Sequence, residues 1–270
     1  MQGFRRTVAE IRGVGGLMAV LALADAFEAW IRIGLLPWHR RDTAAWHRRW
    51  NRIARAWGVG TARIARISLG LKIEVQGEIP DDGRYLVVSN HQSSLDIPLL
   101  IHMLRPLNLK FVAHRGLEFG KPFVSVCLRN GGFAVVHKTN AFQDFLRLRT
   151  FAAKLEATRG SPMIFPEGIR TFDGTIGPFD IAGMRLLQER SGLPVLPVVH
   201  DGLWTARTVG EVHRLVGTTL RFRVLAPVPP ERFTADPERT YREIERSLRD
   251  GLAALRGEEA ILPARRAARV

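Results

Sequence analysis

The sequence predicts an α/β fold: a mixed, largely parallel sheet flanked by helices and preceded by an N-terminal amphipathic helical hairpin. Three observations carry this. Beyond Leu71 the chain alternates short apolar runs with helical stretches; before it, arginines interleave with large apolar residues; and the composition is that of a globular protein. The 270 residues are 46% hydrophobic with a mean hydropathy of −0.03, enough for a sizeable core and too apolar for disorder. One cysteine, Cys127, excludes a disulfide framework and fits a reducing compartment. The net charge of +14 calls for a polyanion, whether nucleic acid, an anionic membrane or a phosphorylated ligand.

The charge is concentrated at the start. Residues 1–70 hold twelve arginines and four acidic residues, so they carry +8 of the +14. An uncharged stretch from Gly13 to Ala24 is twelve residues long, short of the roughly 20 that span a bilayer. No clean transmembrane span is expected. A cleaved signal peptide is disfavoured because the apolar pattern runs on through Phe27, Trp30, Ile31 and Ile33 to Pro37. Past Leu36-Pro37-Trp38, a second helix is expected from Asp42 to about Ile67. Its Trp46, Trp50, Ile53 and Trp57 recur at spacings of four, three and four, one helical face. His47, Arg48, Arg49, Arg52 and Arg55 fill much of the remainder. Trp46, Trp50, Trp57, Arg48 and Arg49 are expected to contact an anionic membrane, since tryptophan favours headgroups and arginine anionic lipid. The alternative is a hairpin packed on the domain, with tryptophan as core and arginine as solvated face.

Seven strands are expected at Leu71–Val75, Tyr85–Ser89, Leu109–Ala113, Phe133–Val136, Met163–Phe165, Val195–Val199 and Leu220–Leu225. Turn signals such as Asp81-Asp82-Gly83 and Asn130-Gly131-Gly132 bound them. Helical patterns fall at 140–158 and 181–190, and a last helix begins at Asp236 as N-cap with Pro237 in its first turn. The expected organisation is a basic amphipathic membrane-binding segment over 1–68, an α/β domain over 69–262 and a frayed Arg-rich tail over 263–270.

Chemistry is expected where strands end. Asn90-His91-Gln92-Ser93-Ser94-Leu95-Asp96 follows one apolar run. Asp96, near the start of the next helix, can hold one imidazole nitrogen of His91 and leave the other as a general base. Alone the pair is weak, because with eight histidines and eleven aspartates such a spacing arises by chance roughly 0.3 times in a chain of this length. Phe165-Pro166-Glu167-Gly168-Ile169-Arg170-Thr171 follows another run, and the Arg170 fork suits phosphate. Gly131-Gly132-Phe133-Ala134-Val135-Val136-His137-Lys138 and Leu193-Pro194-Val195-Leu196-Pro197-Val198 are bland one at a time. No metal-ligand spacing is evident.

Together and in this order, the four blocks resemble those of the glycerolipid acyltransferase family, over about residues 70–226. The resemblance implies that His91 is the base that deprotonates an acceptor hydroxyl and that Asp96 orients it. It implies acceptor binding by Glu167, Gly168, Arg170 and Lys138, with Asn90, Ser93, Phe165, Pro166, Thr171 and Pro197 completing the motifs. It implies no bound cofactor, with acyl-coenzyme A or acyl carrier protein bringing the acyl group as a thioester. The implied partners are a lysolipid acceptor, by default 1-acyl-sn-glycerol-3-phosphate giving phosphatidic acid, an anionic membrane surface and acyl carrier protein. The implied location is the cytoplasmic face of a membrane, peripheral or monotopic. The chain departs from the family pattern at His137-Lys138, where Asp-Arg is common; at His114-Arg115-Gly116-Leu117, where Lys-x-Glu-Leu is usual; and at Pro178-Phe179-Asp180-Ile181-Ala182-Gly183, where the family is often basic. These changes touch the donor or acceptor surface, so another lysolipid or an amino-lipid is an alternative acceptor. A thioesterase or lipid hydrolase lacks its Gly-x-Ser-x-Gly elbow here. Nucleic acid is not an expected partner, because zinc spacing, RNA-recognition aromatics and a heptad-linked basic region are all missing. A catalytically silent scaffold would be expected to lose His91 or Asp96.

Overall fold

In the computed structural model, which describes residues 2–37 and 43–257, all seven expected strands form. They are β1 (Lys72–Gln76), β2 (Leu86–Ser89), β3 (Leu109–His114), β4 (Ala134–Val136), β5 (Ser161–Ile164), β6 (Val195–Asp201) and β7 (Thr219–Val224). They make one sheet in the order β1-β7-β6-β2-β5-β3-β4. Every pairing is parallel except β6 with β7. The expected strand boundaries hold to within about two residues. The shift that matters functionally is at β5, which stops at Ile164 and leaves Phe165 in the following loop.

Eight helices flank the sheet among the described residues: α1 (Gln2–Trp30), α2 (Ala44–Leu69), α3 (Asp96–Met103), α4 (Val124–Asn130), α5 (Ala141–Thr158), α6 (Ile181–Ser191), α7 (Glu231–Ala235) and α8 (Pro237–Arg256). Alternate side chains of a strand point to opposite faces, and β2 shows the division. Val87 joins the core beneath α2, α3 and α4, while Leu86 and Val88 join the core beneath α5, α6 and α8. Asp236 caps α8 as the sequence implied, its side chain accepting from the Arg239 N–H at 3.0 Å. The Arg-rich tail over 263–270 and Trp38 lie outside the described residues.

The N-terminal helices correct two expectations. First, α1 runs on past the uncharged stretch, as the apolar pattern through Ile33 implied, and continues as a π-helical turn over Ile31–Leu35. Glu10–Leu35 is therefore long and apolar enough to cross a membrane by length and composition, and only 17% of its most apolar window is buried. The sequence reading counted the twelve uncharged residues alone, whereas isolated charges leave the longer window apolar. Second, Trp46, Trp50 and Trp57 do not face outward. They are 2%, 1% and 8% exposed, because α2 is sandwiched between α1 on one side and α3 and α4 on the other. Trp46 and Trp50 meet edge to face, Trp57 packs on Phe123, and Trp46 Nε1 donates to the Asn130 carbonyl at 3.0 Å. Truncating any of them would cost roughly 3–5 kcal/mol. The packed-hairpin alternative is the one realised for tryptophan, while Arg48 and Arg49 are exposed. Helices α1 and α2 run antiparallel, with Gly16 against Ser68 and Gly60 against Leu23. The apolar face left open belongs to α1: Ile11, Val14, Met18 and Leu21, spaced three, four and three, are all exposed, as are Trp30 and Ile33.

Close approach explains one helical glycine. A Cβ on Gly58 would stand 2.7 Å from Ile101 of α3. Glycine there lets α2 lie directly on the helix that begins at Asp96.

Candidate active site

Because β2 to β6 run parallel, with β1 and β7 opposed to them, the loops that follow β2 to β6 gather at one end of the sheet. There, β2 lies between β6 and β5, so the loops after β2 and β5 are neighbours. They are stitched together: the Thr171 N–H donates to the His91 carbonyl at 2.9 Å, and the His91 N–H donates to Glu167 Oε1 at 2.7 Å.

The first block folds into a tight loop because Asp96, at the start of α3, collects its donors. Asp96 Oδ2 accepts from the Gln92 N–H at 2.6 Å, the Ser93 N–H at 2.9 Å and His91 Nδ1 at 2.7 Å. The carboxylate is wholly buried. Burial pushes its pKa up, but His200, His91 and the Ser93 N–H outweigh burial and hold it below the ordinary carboxylate range. An ionised Asp96 assigns the proton on His91 to Nδ1 and leaves Nε2 as a basic lone pair. That ring is 18% exposed, and it stacks on Phe165 with centroids 4.1 Å apart and planes 11° apart. A carboxylate on one nitrogen and an aromatic floor fix the direction of the free nitrogen.

The remaining motif residues divide into holders and candidate contacts. Asn90, 2% exposed, spans to β6 by donating to the His200 carbonyl at 2.9 Å and accepting from the His200 N–H at 3.0 Å. Ser93 Oγ donates to the Ala206 carbonyl. Pro166 accepts from the Asp180 N–H through its carbonyl at 2.9 Å, and Thr171 Oγ1 accepts from the Gly174 N–H at 3.0 Å. Pro197 sits within β6 opposite Val88. Glu167, expected to bind the acceptor, has both oxygens occupied: Oε1 by His91 and Oε2 by the Gly177 N–H at 2.8 Å. Its carboxyl lies above the usual range, because burial outweighs those two hydrogen bonds. In this structure it ties the two loops together.

Lys138 and Arg170 remain available at the rim. Lys138, exposed and at positive φ, places its ammonium on the Gly168 carbonyl. Gly168 is at φ +66°, which favours glycine for the turn, and a Cβ there would stand 2.5 Å from Lys138 Nζ and push its flexible end aside. Arg170 Nη1 donates to Ser94 Oγ and, at 2.9 Å, to the Arg207 carbonyl. Among the described residues neither cation forms a salt bridge to a carboxylate. Asp180, in the segment where basic residues were missed, caps α6 by accepting from the Ala182 N–H at 3.1 Å. Among the described residues there is no cluster of three or more metal-ligating side chains.

Sequence reasoning missed a supporting layer. His200 is fully buried, with Nε2 3.0 Å from the Asn90 carbonyl and 3.7 Å from Asp96 Oδ2. Gln92 donates to Asp201 Oδ1 at 3.0 Å and accepts from the Leu203 N–H at 3.0 Å. Asp201 in turn takes a two-pronged grip from Arg256, at 2.9 and 2.8 Å, and Arg256 also donates to the Gly174 carbonyl at 2.8 Å. His200 and Asp201 stand at the end of β6, directly beyond the Pro-bracketed block, and the rule that singled out His91 could have found them. Nothing local marks Arg256 among forty basic residues.

The chain is similar to known proteins. A family model described as Acyltransferase matches residues 72–201. The chain is 29% identical over 170 residues to 1-acyl-sn-glycerol-3-phosphate acyltransferase alpha of Homo sapiens, covering 62% of this chain and 58% of that protein. It is 25% identical over 177 residues to the 1-acyl-sn-glycerol-3-phosphate acyltransferase of Saccharomyces cerevisiae, covering 64% and 57%. The chain thus spans less than two thirds of the length of these relatives. The crystal structure of the 1-acyl-sn-glycerophosphate (LPA) acyltransferase PlsC from Thermotoga maritima superposes with a TM-score of 0.68 at 22% identity, covering 93% of this chain and 98% of that one. It shares the fold. The four ordered blocks, the loops they form and the family match agree: residues 72–201 are an acyltransferase domain, similar to that of the 1-acyl-sn-glycerol-3-phosphate acyltransferases.

Proposed function

We propose that the protein moves a fatty acyl group from a thioester to the free hydroxyl of a lysolipid, with 1-acyl-sn-glycerol-3-phosphate as acceptor and phosphatidic acid as product. The observation that carries this reading is His91, with Nδ1 pinned to a buried carboxylate and Nε2 left open beside two cations that have no carboxylate partner. In the proposed reaction Nε2 takes the proton of the acceptor hydroxyl as its oxygen attacks the thioester carbonyl carbon. The Nδ1–H bond to Asp96 stabilises the imidazolium that forms. The carbon–sulfur bond then breaks, the thiolate leaves, and the imidazolium proton neutralises it. No acyl-enzyme is required. Cys127 is buried and its thiol is pushed well above its ordinary pKa by burial, which removes it as a nucleophile.

Arg170 and Lys138 are proposed to hold the acceptor phosphate, and thioesters of coenzyme A or of acyl carrier protein both suit the chemistry. The exposed apolar face of α1 and the arginines of α2 support seating on the cytoplasmic face of an anionic membrane. The departures at Lys138 and Asp180 favour one second reading, another lysolipid or an amino-lipid as acceptor. The test is a panel of lysolipids offered with long-chain acyl-coenzyme A and acyl carrier protein thioesters. Acylated 1-acyl-sn-glycerol-3-phosphate as the dominant product is expected. Acylation of a different lysolipid would move the acceptor assignment, and thioester hydrolysis without acylated lipid would overturn acyl transfer.

A further inference from the structure

A second cationic site stands away from the chemistry. The carboxyl-terminal turns of α2 and the end of α3 enclose a cleft of about 560 Å³ whose lining includes Arg63, Arg66, His102, Val59, Ile67 and Leu71. No acidic side chain lines it. Val59, Arg63, Arg66 and Ile67 share one face of α2, being four, three and one residues apart. Leu71 immediately precedes β1, the edge strand three places from β2 in the sheet, and the lining includes none of His91, Asp96, Lys138 and Arg170, so the cleft lies at the β1 edge, apart from the proposed base.

Its charges are uncompensated. The salt bridges and side-chain hydrogen bonds among the described residues involve neither Arg63 nor Arg66, and His102 Nδ1 is buried without a hydrogen-bond partner. Burial, together with the Arg105 and Arg66 charges, holds His102 below the ordinary histidine range. Cations gathered without an anion are an unfilled electrostatic demand. The margin is apolar and outward-facing: Ile67 is 71% exposed. Arg12 of α1 donates to the Ser68 carbonyl at 2.8 Å, bringing the exposed Ile11 and Val14 end of α1 beside the cleft. A phosphate bearing acyl chains would match both parts, with its anion between Arg63, Arg66 and His102 and its chains along Ile67 and the α1 stripe.

We infer that this cleft binds the phosphate headgroup of an anionic phospholipid, separately from the acceptor site. The inference rests on the membrane seating proposed above and not on the acyl-transfer chemistry. It separates two kinds of charge on α2: Arg48 and Arg49 are surface charge attracted by any anionic bilayer, whereas Arg63 and Arg66 converge on one headgroup.

The test is flotation of the full chain with phosphatidylcholine vesicles, with and without phosphatidylglycerol. Wild type is compared with an Arg63→Gln, Arg66→Gln double variant and an Arg48→Gln, Arg49→Gln double variant of equal charge, each checked for fold by circular dichroism. Diffuse attraction acts on both pairs alike. A built site adds to the loss at Arg63 and Arg66, by about tenfold in vesicle affinity beyond the other pair. Equal losses in the two doubles overturn the site. Wild type that binds both vesicle types equally also overturns it while leaving the apolar anchor intact, and binding to neither overturns the membrane seating too. As a second measurement, NMR of His102 should show its titration moving upward with short-chain phosphatidylglycerol and not with inorganic phosphate. An equal movement with inorganic phosphate would make the cleft a free-phosphate site and overturn the lipid assignment.

Discussion

The two sides of the candidate active site are built differently. Around His91 and Asp96, Asn90, Gln92, Ser93 and His200 are all at most 2% exposed, and most of their polar groups are hydrogen-bonded within the fold. Across the crevice, Lys138 and Arg170 are nearer the surface and are held only by carbonyls and the Ser94 hydroxyl. Rearranging the first side would orphan buried donors at about 1–3 kcal/mol each, whereas the second can be altered with little structural cost. In the proposed reaction, this geometry would constrain the proton transfer tightly and the acceptor loosely. That contrast fits the placement of the family departures, which fall at Lys138 and Asp180 and spare His91 and Asp96.

The sharpest way to break the contrast is at the base. His91→Ala should lower kcat by about a thousandfold with little change in the acceptor KM, measured by acyl transfer to a lysolipid. Asp96→Asn should cost about a hundredfold or more, since it removes the acceptor that sets the His91 tautomer. Residual activity near wild type in either variant would remove the dyad from the mechanism.

The Arg256 grip tests whether the rigid side needs its outer layer. Arg256→Gln should lower kcat about tenfold through Gln92 and the Gly174 turn, and it should destabilise the fold by about 2 kcal/mol, since the pair is only partly shielded. Its pH dependence has a definite sign. Burial raises the Asp201 pKa, but Arg256 and Gln92 outweigh it and hold the carboxyl below its ordinary value. Asp96 is depressed as well. Both therefore stabilise the native state above the unfolded-state aspartate pKa of about 3.9, and that stability is lost as pH falls below it. Arg256→Gln should move the acid-unfolding midpoint to higher pH, followed by circular dichroism. A KM change without a kcat change would place Arg256 outside the support of the base.

On the adaptable side the effects should be smaller and fall on KM. Arg170→Lys, which keeps charge but loses the fork, should raise the acceptor KM about tenfold. Lys138→Arg should change it by no more than about twofold, because the motif's usual arginine is being restored. A kcat loss without a KM change in either variant would break the division between the two sides.

Much of this was legible in the sequence, because the signals were local. Strands announced themselves as short apolar runs, and the His91 and Arg170 blocks lay where strand ends predicted ligands. What stayed hidden depended on partners distant in sequence. A tryptophan stripe such as Trp46-Trp50-Trp57 reads the same whether its face meets lipid or another helix, and only the antiparallel placement of α1 and the contact with α4 decides. Glu167 looked like a ligand because its loop is charged, yet backbone donors 76 and 10 residues away use both its oxygens. Arg256 joins Asp201 across 55 residues, a separation at which pattern carries no information.

That last contact has a consequence for how the enzyme is made. Folding of a domain proceeds as the chain leaves the ribosome, and the loops bearing His91 and Glu167 emerge long before Arg256 does. Until α8 arrives, Asp201 lacks its counterion and the Gly174 turn lacks its donor. A nascent chain would therefore carry all four motif blocks and still hold an unfinished site, its proposed chemistry withheld until α8 has emerged.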